Sequence, residues 1–213
     1  MKSALVFVFL FYAGGKVPVG TVRVGGYYVG KTEILNIHWL EYLHYRSQEL
    51  DSSQIVSLQP DPSNTWYRSP AERFKPIVLI TQSQAQDYCR WLSQIVSQRT
   101  GEKVTYRLPT PPEWQEIATE LLKTGSKEAD RELRATRKLI EKATGRYTMV
   151  DRRDTKEMVY DLFQNVSEMT SESGVAMGAN NGDLAELHAN PTRQIKYTSP
   201  NSYIGFRCIA AFD

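Results

Sequence analysis

Tyr106-Arg107-Leu108-Pro109-Thr110-Pro111-Pro112-Glu113-Trp114 compresses a strand end, a turn and a helix start into nine residues. Pro109 stops the strand because proline has no N–H to give to a ladder. Thr110 has a hydroxyl that can accept from the backbone N–H of Glu113. Glu113 in turn can reach back to the N–H of Thr110. That reciprocal pair is a capping box, and Pro111 stands where a missing donor costs nothing. Trp114, Ile117, Ala118 and Leu121 follow at helical spacing, so a buried helix is specified here.

Similar reasoning extends outward. Thr81 and Gln84 form a second capping box. Ala85, Cys89, Leu92 and Val96 make the apolar stripe of that helix, and Gly101 ends it. Leu35 to Tyr45 reads as another helix, with Leu35, Trp39, Tyr42 and Leu43 on one side. Val17 to Val29 reads as short strands bent at glycines, and Pro76 to Ile80 as a short buried strand. Residues 51–75, rich in Ser, Pro, Asp and Asn, read as a long loop. Residues 126–157 read as a highly charged insertion, helical over 126–143, that either lies on the surface or binds a partner. Residues 160–213 read as loops between short strands.

The chain has 213 residues, which suits one domain over 16–213. A formal net charge of +2 gives no argument for nucleic acid. Lys2, the apolar run Ala4 to Ala13 and small residues at Ala13 and Gly15 give residues 1–15 the pattern of a secretory signal, the alternative being a buried strand. The run is too short to span a bilayer. Three histidines, His38, His44 and His188, do not make a convincing two-histidine, one-carboxylate iron site. Neither G-x-S-x-G nor a phosphate-binding G-x-x-x-x-G-K-[ST] occurs. The two cysteines, Cys89 and Cys208, are either one disulfide or two buried thiols, and the compartment decides.

Five segments, taken in order, resemble one family. Gly30-Lys31-Thr32-Glu33-Ile34-Leu35-Asn36 is similar to its K-T-E-V-T-N segment. Pro76-Ile77-Val78 with Ala85-Gln86-Asp87-Tyr88-Cys89-Arg90-Trp91-Leu92 is similar to P-V followed by A-x-x-Y-C-x-W-L. Arg107-Leu108-Pro109-Thr110 with Glu113-Trp114 is similar to R-L-P-T-E-x-E-W. Tyr160 to Met169 is similar to L-Y-D-M-x-G-N-V-W-E-W, and Gly205-Phe206-Arg207-Cys208 to G-F-R-C. The chain thus resembles the formylglycine-generating enzyme and sulfatase-modifying-factor family. The resemblance implies an α+β, C-type-lectin-like fold of short strands, a few helices and long ordered loops.

It also implies function. Enzymes of the family oxidise a sulfatase cysteine with two active-site cysteines that hold copper(I), and thiolates select that soft ion. The stretch that would carry them here, Gly178 to Tyr203, contains no cysteine. The resemblance pairs Cys89 with Cys208 as a structural disulfide, worth about 4–5 kcal/mol in the chain-entropy model. It places Asn165 and Glu168 in a calcium-binding region, although both could equally be hydrogen-bond partners of loops. No other cofactor is expected. A binding face is expected from 174–203, carrying Asn180, Asn181, Asp183, His188, Asn190, Arg193 and Tyr197. The expectation is a secreted or periplasmic, non-catalytic member with a protein partner in an envelope assembly, by analogy with motility- and secretion-associated relatives. The alternative is a metal-dependent oxidase with an unrecognised site.

Overall fold

The structure is a computed structural model, and it describes residues 17–123, 158–182 and 190–213. The expected signal (1–15) and charged insertion (126–157) lie outside the described residues. So do Asp183 and His188.

Among the described residues are four α-helices and eight strands, the strands forming two four-stranded sheets. In chain order the described elements are β1 (Thr21–Val24), β2 (Tyr27–Gly30), α1 (Asn36–Arg46), α2 (Ser52–Ser57), α3 (Gln82–Thr100), β3 (Val104–Arg107), α4 (Pro111–Lys123), β4 (Ser167–Met169), β5 (Val175–Met177), β6 (Gln194–Lys196), β7 (Ile204–Gly205) and β8 (Ile209–Phe212). One sheet runs β1-β2-β8-β3 and the other β6-β5-β4-β7. The last strand is therefore interior. β8 pairs antiparallel with β2 on one side and β3 on the other, with Ile209 opposite both Val29 and Arg107. This places Arg207 and Cys208 in the middle of the molecule. In the second sheet β4 is central, antiparallel to β5 and parallel to β7.

Local chemistry explains the helices. Before α3, the Thr81 N–H donates to Gln84 Oε1 at 2.7 Å and the Gln84 N–H to Thr81 Oγ1 at 3.2 Å. Gly101 ends the helix at φ 72°, a conformation glycine adopts without steric cost. Before α4, the Glu113 N–H donates to Thr110 Oγ1 at 3.3 Å and the Thr110 N–H to Glu113 Oε2 at 2.8 Å. Arg107 then clamps the same carboxylate through both guanidinium ends, at 2.7 and 2.6 Å. These bonds hold the Glu113 carboxyl down at about 2, the Arg107 bond contributing most. A carboxyl lowered by folding stabilises the native state above its ordinary value near 4.5. That contribution disappears as pH falls toward about 2. The Glu113→Gln variant is therefore expected to show a flatter acid limb in a pH series of urea midpoints, and an unchanged limb would refute this.

Two expectations need correction. Residues 51–75 are not all loop. Asp51 accepts from the Gln54 N–H at 2.9 Å, Gln54 returns the bond at 3.0 Å, and α2 follows; a 3-10 turn covers Pro70–Glu72. The Ser- and Asp-rich composition hid a capping box. Pro76 to Ile80 is buried but is not a strand. Only Pro76 bridges, to Leu35, and Leu79 takes φ 60°, which breaks extended geometry.

The core has two parts. The larger packs α1 and α3 through an aromatic group in which Trp39, Tyr42, Tyr88, Trp91 and Phe206 meet at ring separations of 5.0–6.2 Å. The smaller packs α4, through Trp114 and Ile117, against β1, β2 and Leu162.

Candidate functional site

Ten consecutive residues, 161–170, are buried, and six of them are polar: Asp161, Gln164, Asn165, Ser167, Glu168 and Thr170. Buried polar groups need partners: Gln164 and Asp161 bond each other, Ser167 donates to the Gly178 carbonyl, Thr170 to the Val175 carbonyl, and Glu168 is met by Arg207. The Arg207 side chain is 2% exposed. Its Nε donates to Glu168 Oε1 at 2.8 Å, Nη1 to the Gly30 carbonyl at 2.7 Å and Nη2 to the Tyr160 carbonyl at 2.6 Å. One side chain thus joins the end of β2, the 158–165 loop and β4. Gly30 permits the approach: a Cβ there would meet the Cys208 carbonyl at 3.0 Å and Arg207 Cγ at 3.3 Å.

Glu168 is fully buried, and its other oxygen, Oε2, accepts from the Trp114 indole N–H at 2.8 Å. Glu33, also fully buried, has Oε1 held by the Asn165 side-chain amide at 2.9 Å, while Oε2 lies 4.0 Å from Arg207 Nη2 with no hydrogen-bond partner. Burial pushes the Glu33 carboxyl well above its usual range, and Asp161 adds to the push. Burial also raises Glu168, but Arg207 and the Trp114 indole oppose it. Burial thus disfavours the charged form of Glu33 more strongly than that of Glu168, which meets the guanidinium directly. The backbone supports the loop: Asp161 and Asn165 take φ 58° and 70°, and Gln164 Nε2 bonds Asp161 Oδ1 at 2.6 Å.

The two residues expected near calcium are held by this network. Glu168 spends both oxygens on Arg207 and Trp114, and Asn165 turns its amide nitrogen to Glu33. Calcium needs six to eight oxygen ligands, and this donor set does not fit it. Among the described residues no three His, Cys, Asp or Glu side chains gather in a metal-binding arrangement.

The expected binding face is split. Asn180 and Asn181 are buried instead of displayed. Asn180 Nδ2 donates to Ser167 Oγ at 2.8 Å, and Asn181 Oδ1 accepts from the Asn165 N–H at 3.1 Å. Asn181 satisfies a backbone N–H of the polar loop and Asn180 a side-chain hydroxyl in it, roles that composition alone could not distinguish from display. Asn190 is exposed, and Arg193 and Tyr197 are half-buried, flanking β6. Of the histidines, His38 Nδ1 accepts from the Leu35 N–H at 3.2 Å and His44 is exposed beside Gln48. Sequence reading missed Arg207 and Trp114 as partners of Glu168, and Glu33 as the partner of Asn165; the signal was present, because each falls in one of the five resembling segments.

Cys89 on α3 and Cys208 before β8 are both buried, with their sulfurs 3.0 Å apart. Burial, then the hydrogen bond shared with Cys89, pushes the Cys208 thiol well up. A buried thiol so raised is a poor nucleophile and a poor ligand.

A family model for the sulfatase-modifying factor enzyme 1-like domain matches residues 7–212. The chain belongs to the sulfatase-modifying factor family. Its α+β, C-type-lectin-like architecture is the one this family implies. The solved structure of PvdO from Pseudomonas aeruginosa aligns with 86% of this chain and 80% of its own length, at 14% identity and a TM-score of 0.43. No curated protein matches the sequence. No described helix of this family member is long and apolar enough to cross a membrane.

Proposed function

We propose that this chain is a sulfatase-modifying-factor-type protein that has kept the scaffold without the oxidase chemistry, and that it serves as an extracytoplasmic structural or binding component of an envelope assembly. The observation that carries the reading is the placement of its thiols. The sequence has only two cysteines, and both are buried against each other between α3 and β8. Copper(I) chemistry of the family's kind needs a thiolate pair at an accessible site. Gly178 to Tyr203 offers none. The pattern of residues 1–15 supports export, and export supports Cys89 and Cys208 as a disulfide. Asn190, Arg193 and Tyr197 are the candidate contact residues for a protein partner, since they lie in the segment around β6 and are at least partly accessible.

The test is an oxidation assay. Purified protein, loaded in turn with copper and iron, is incubated with a C-x-P-x-R peptide, and the loss of the peptide thiol is followed by mass spectrometry. No turnover above the metal-only control is expected. Turnover above that control overturns the reading and restores the metal-dependent oxidase.

A further inference from the structure

We infer, resting on the partner-binding reading above, that the outer edge of β6 receives an extended acidic segment of a partner protein as a further strand of the second sheet. β6 is an edge strand, paired with β5 alone. Its register decides which backbone groups are spent. The Gly178 N–H donates to the Arg193 carbonyl at 2.8 Å and the Tyr197 N–H to the Gly174 carbonyl at 2.9 Å. In an antiparallel ladder, pairs that exchange bonds alternate with pairs that do not. Arg193, Ile195 and Tyr197 therefore turn their backbone groups toward β5, and Gln194 and Lys196 turn theirs outward. The outward amides and carbonyls of Gln194 and Lys196 have no hydrogen-bond partner among the described residues, and both residues are exposed. Such a row of free groups is a template for one more strand. Side chains choose the occupant. Between Asn190 and Phe206 the sequence holds Arg193 and Lys196 and no Asp or Glu. Lys196 has no ion pair among the described residues. Opposite charges across a strand pair attract and like charges repel. The edge thus disfavours a second copy of itself and suits a strand with carboxylates on the face of Lys196. Ile195, half-buried on the other face, suits apolar residues alternating with them.

The probe is a dilute, fluorescently labelled peptide of alternating valine and glutamate, titrated with the whole chain and followed by anisotropy. Saturable binding is expected, with none for the valine–lysine counterpart. Lys196→Pro removes one outward N–H and one charge while sparing the bonds to β5. It is expected to weaken binding about ten-fold, as loss of a hydrogen bond does. Two further peptides carry N-methyl groups on one or the other alternate set of amides. An added strand donates through one set only, so one methylated peptide is expected to lose binding and the other to keep it. That pair of peptides decides the matter if Lys196→Pro does not fold. No binding of the acidic peptide overturns the inference. Binding that survives Lys196→Pro and both methylations, yet is lost in Tyr197→Ala, overturns strand addition and leaves the partner-binding reading standing. The expected peptide pattern alongside turnover in the oxidation assay supports the added strand and overturns only the non-catalytic part of the reading.

Discussion

Arg207→Ala is expected to destabilise the protein by about 3–5 kcal/mol, as removal of one member of a buried ion pair does. Against the typical stability of a domain of this size, roughly 5–15 kcal/mol, such a loss removes between about a fifth and all of the folding margin. The reason is that the deletion strands several groups together. Glu168 loses its counter-charge in a site that water does not reach, and the carbonyls of Gly30 and Tyr160 lose their donors. Three segments then lose a shared anchor, leaving weaker ties such as the Tyr160 N–H to the Lys31 carbonyl at 2.8 Å. Arg207→Lys keeps the charge, but an ammonium on a different stem cannot present the planar fork to all three acceptors. It is expected to recover part of the loss. Glu33→Gln is the discriminating control. Burial disfavours the charge on its carboxyl, so an isosteric neutral amide is expected to be tolerated to within about 1 kcal/mol. Urea denaturation followed by circular dichroism checks all three. An Arg207→Ala variant within 1 kcal/mol of wild type, or a Glu33→Gln variant as damaged as Arg207→Ala, would show that the network is not organised around the guanidinium.

Much of the fold was legible because it was written in short-range chemistry. Thr81 with Gln84 and Thr110 with Glu113 announce helix starts within four residues, and both boxes close as expected. The α2 start was written in the same way, by Asp51 and Gln54, but its surroundings read as loop. Pro76 to Ile80 failed for the opposite reason. Its β-branched composition and burial satisfy a strand pattern, while Leu79 at positive φ diverts the chain. Burial in this molecule comes from long-range packing that a window of sequence does not contain. The site shows the same division. Residues Asn165 and Glu168 could be singled out, but their partners lie 132 and 39 positions away, at Glu33 and Arg207. Asn180 and Asn181 have the composition of a display loop and the environment of a core. No local signal separates an asparagine that meets a ligand from one that satisfies a buried backbone N–H.

The second large effect concerns sulfur. Exported protein is expected to carry a Cys89–Cys208 disulfide, and loss of that bond is expected to cost about 5 kcal/mol, from the chain-entropy relation applied to partners 119 positions apart. The two sulfurs already face each other in the core, so closing the bond requires no rearrangement of α3 against β8 beyond the movement of two side chains. It would tie the middle of the longest described helix to the strand that completes the first sheet. Two measurements separate a bond from a pair of thiols. Intact mass under denaturing, non-reducing conditions should be two hydrogens lighter than after reduction, with no titratable thiol. Cys89→Ala and Cys208→Ala should each be destabilising, and the double variant should be no worse than the more damaging single one. Residues that act as a unit are non-additive in this way, whereas independent buried thiols would add. Two titratable thiols in the exported protein, with additive single variants, would end the disulfide assignment. They would also weaken the case for a non-catalytic role, because that case treats both sulfurs as structural and leaves none free for a metal. The stability of the sulfur pair and the absence of thiol chemistry are in this respect one claim, and the same mass measurement bears on both.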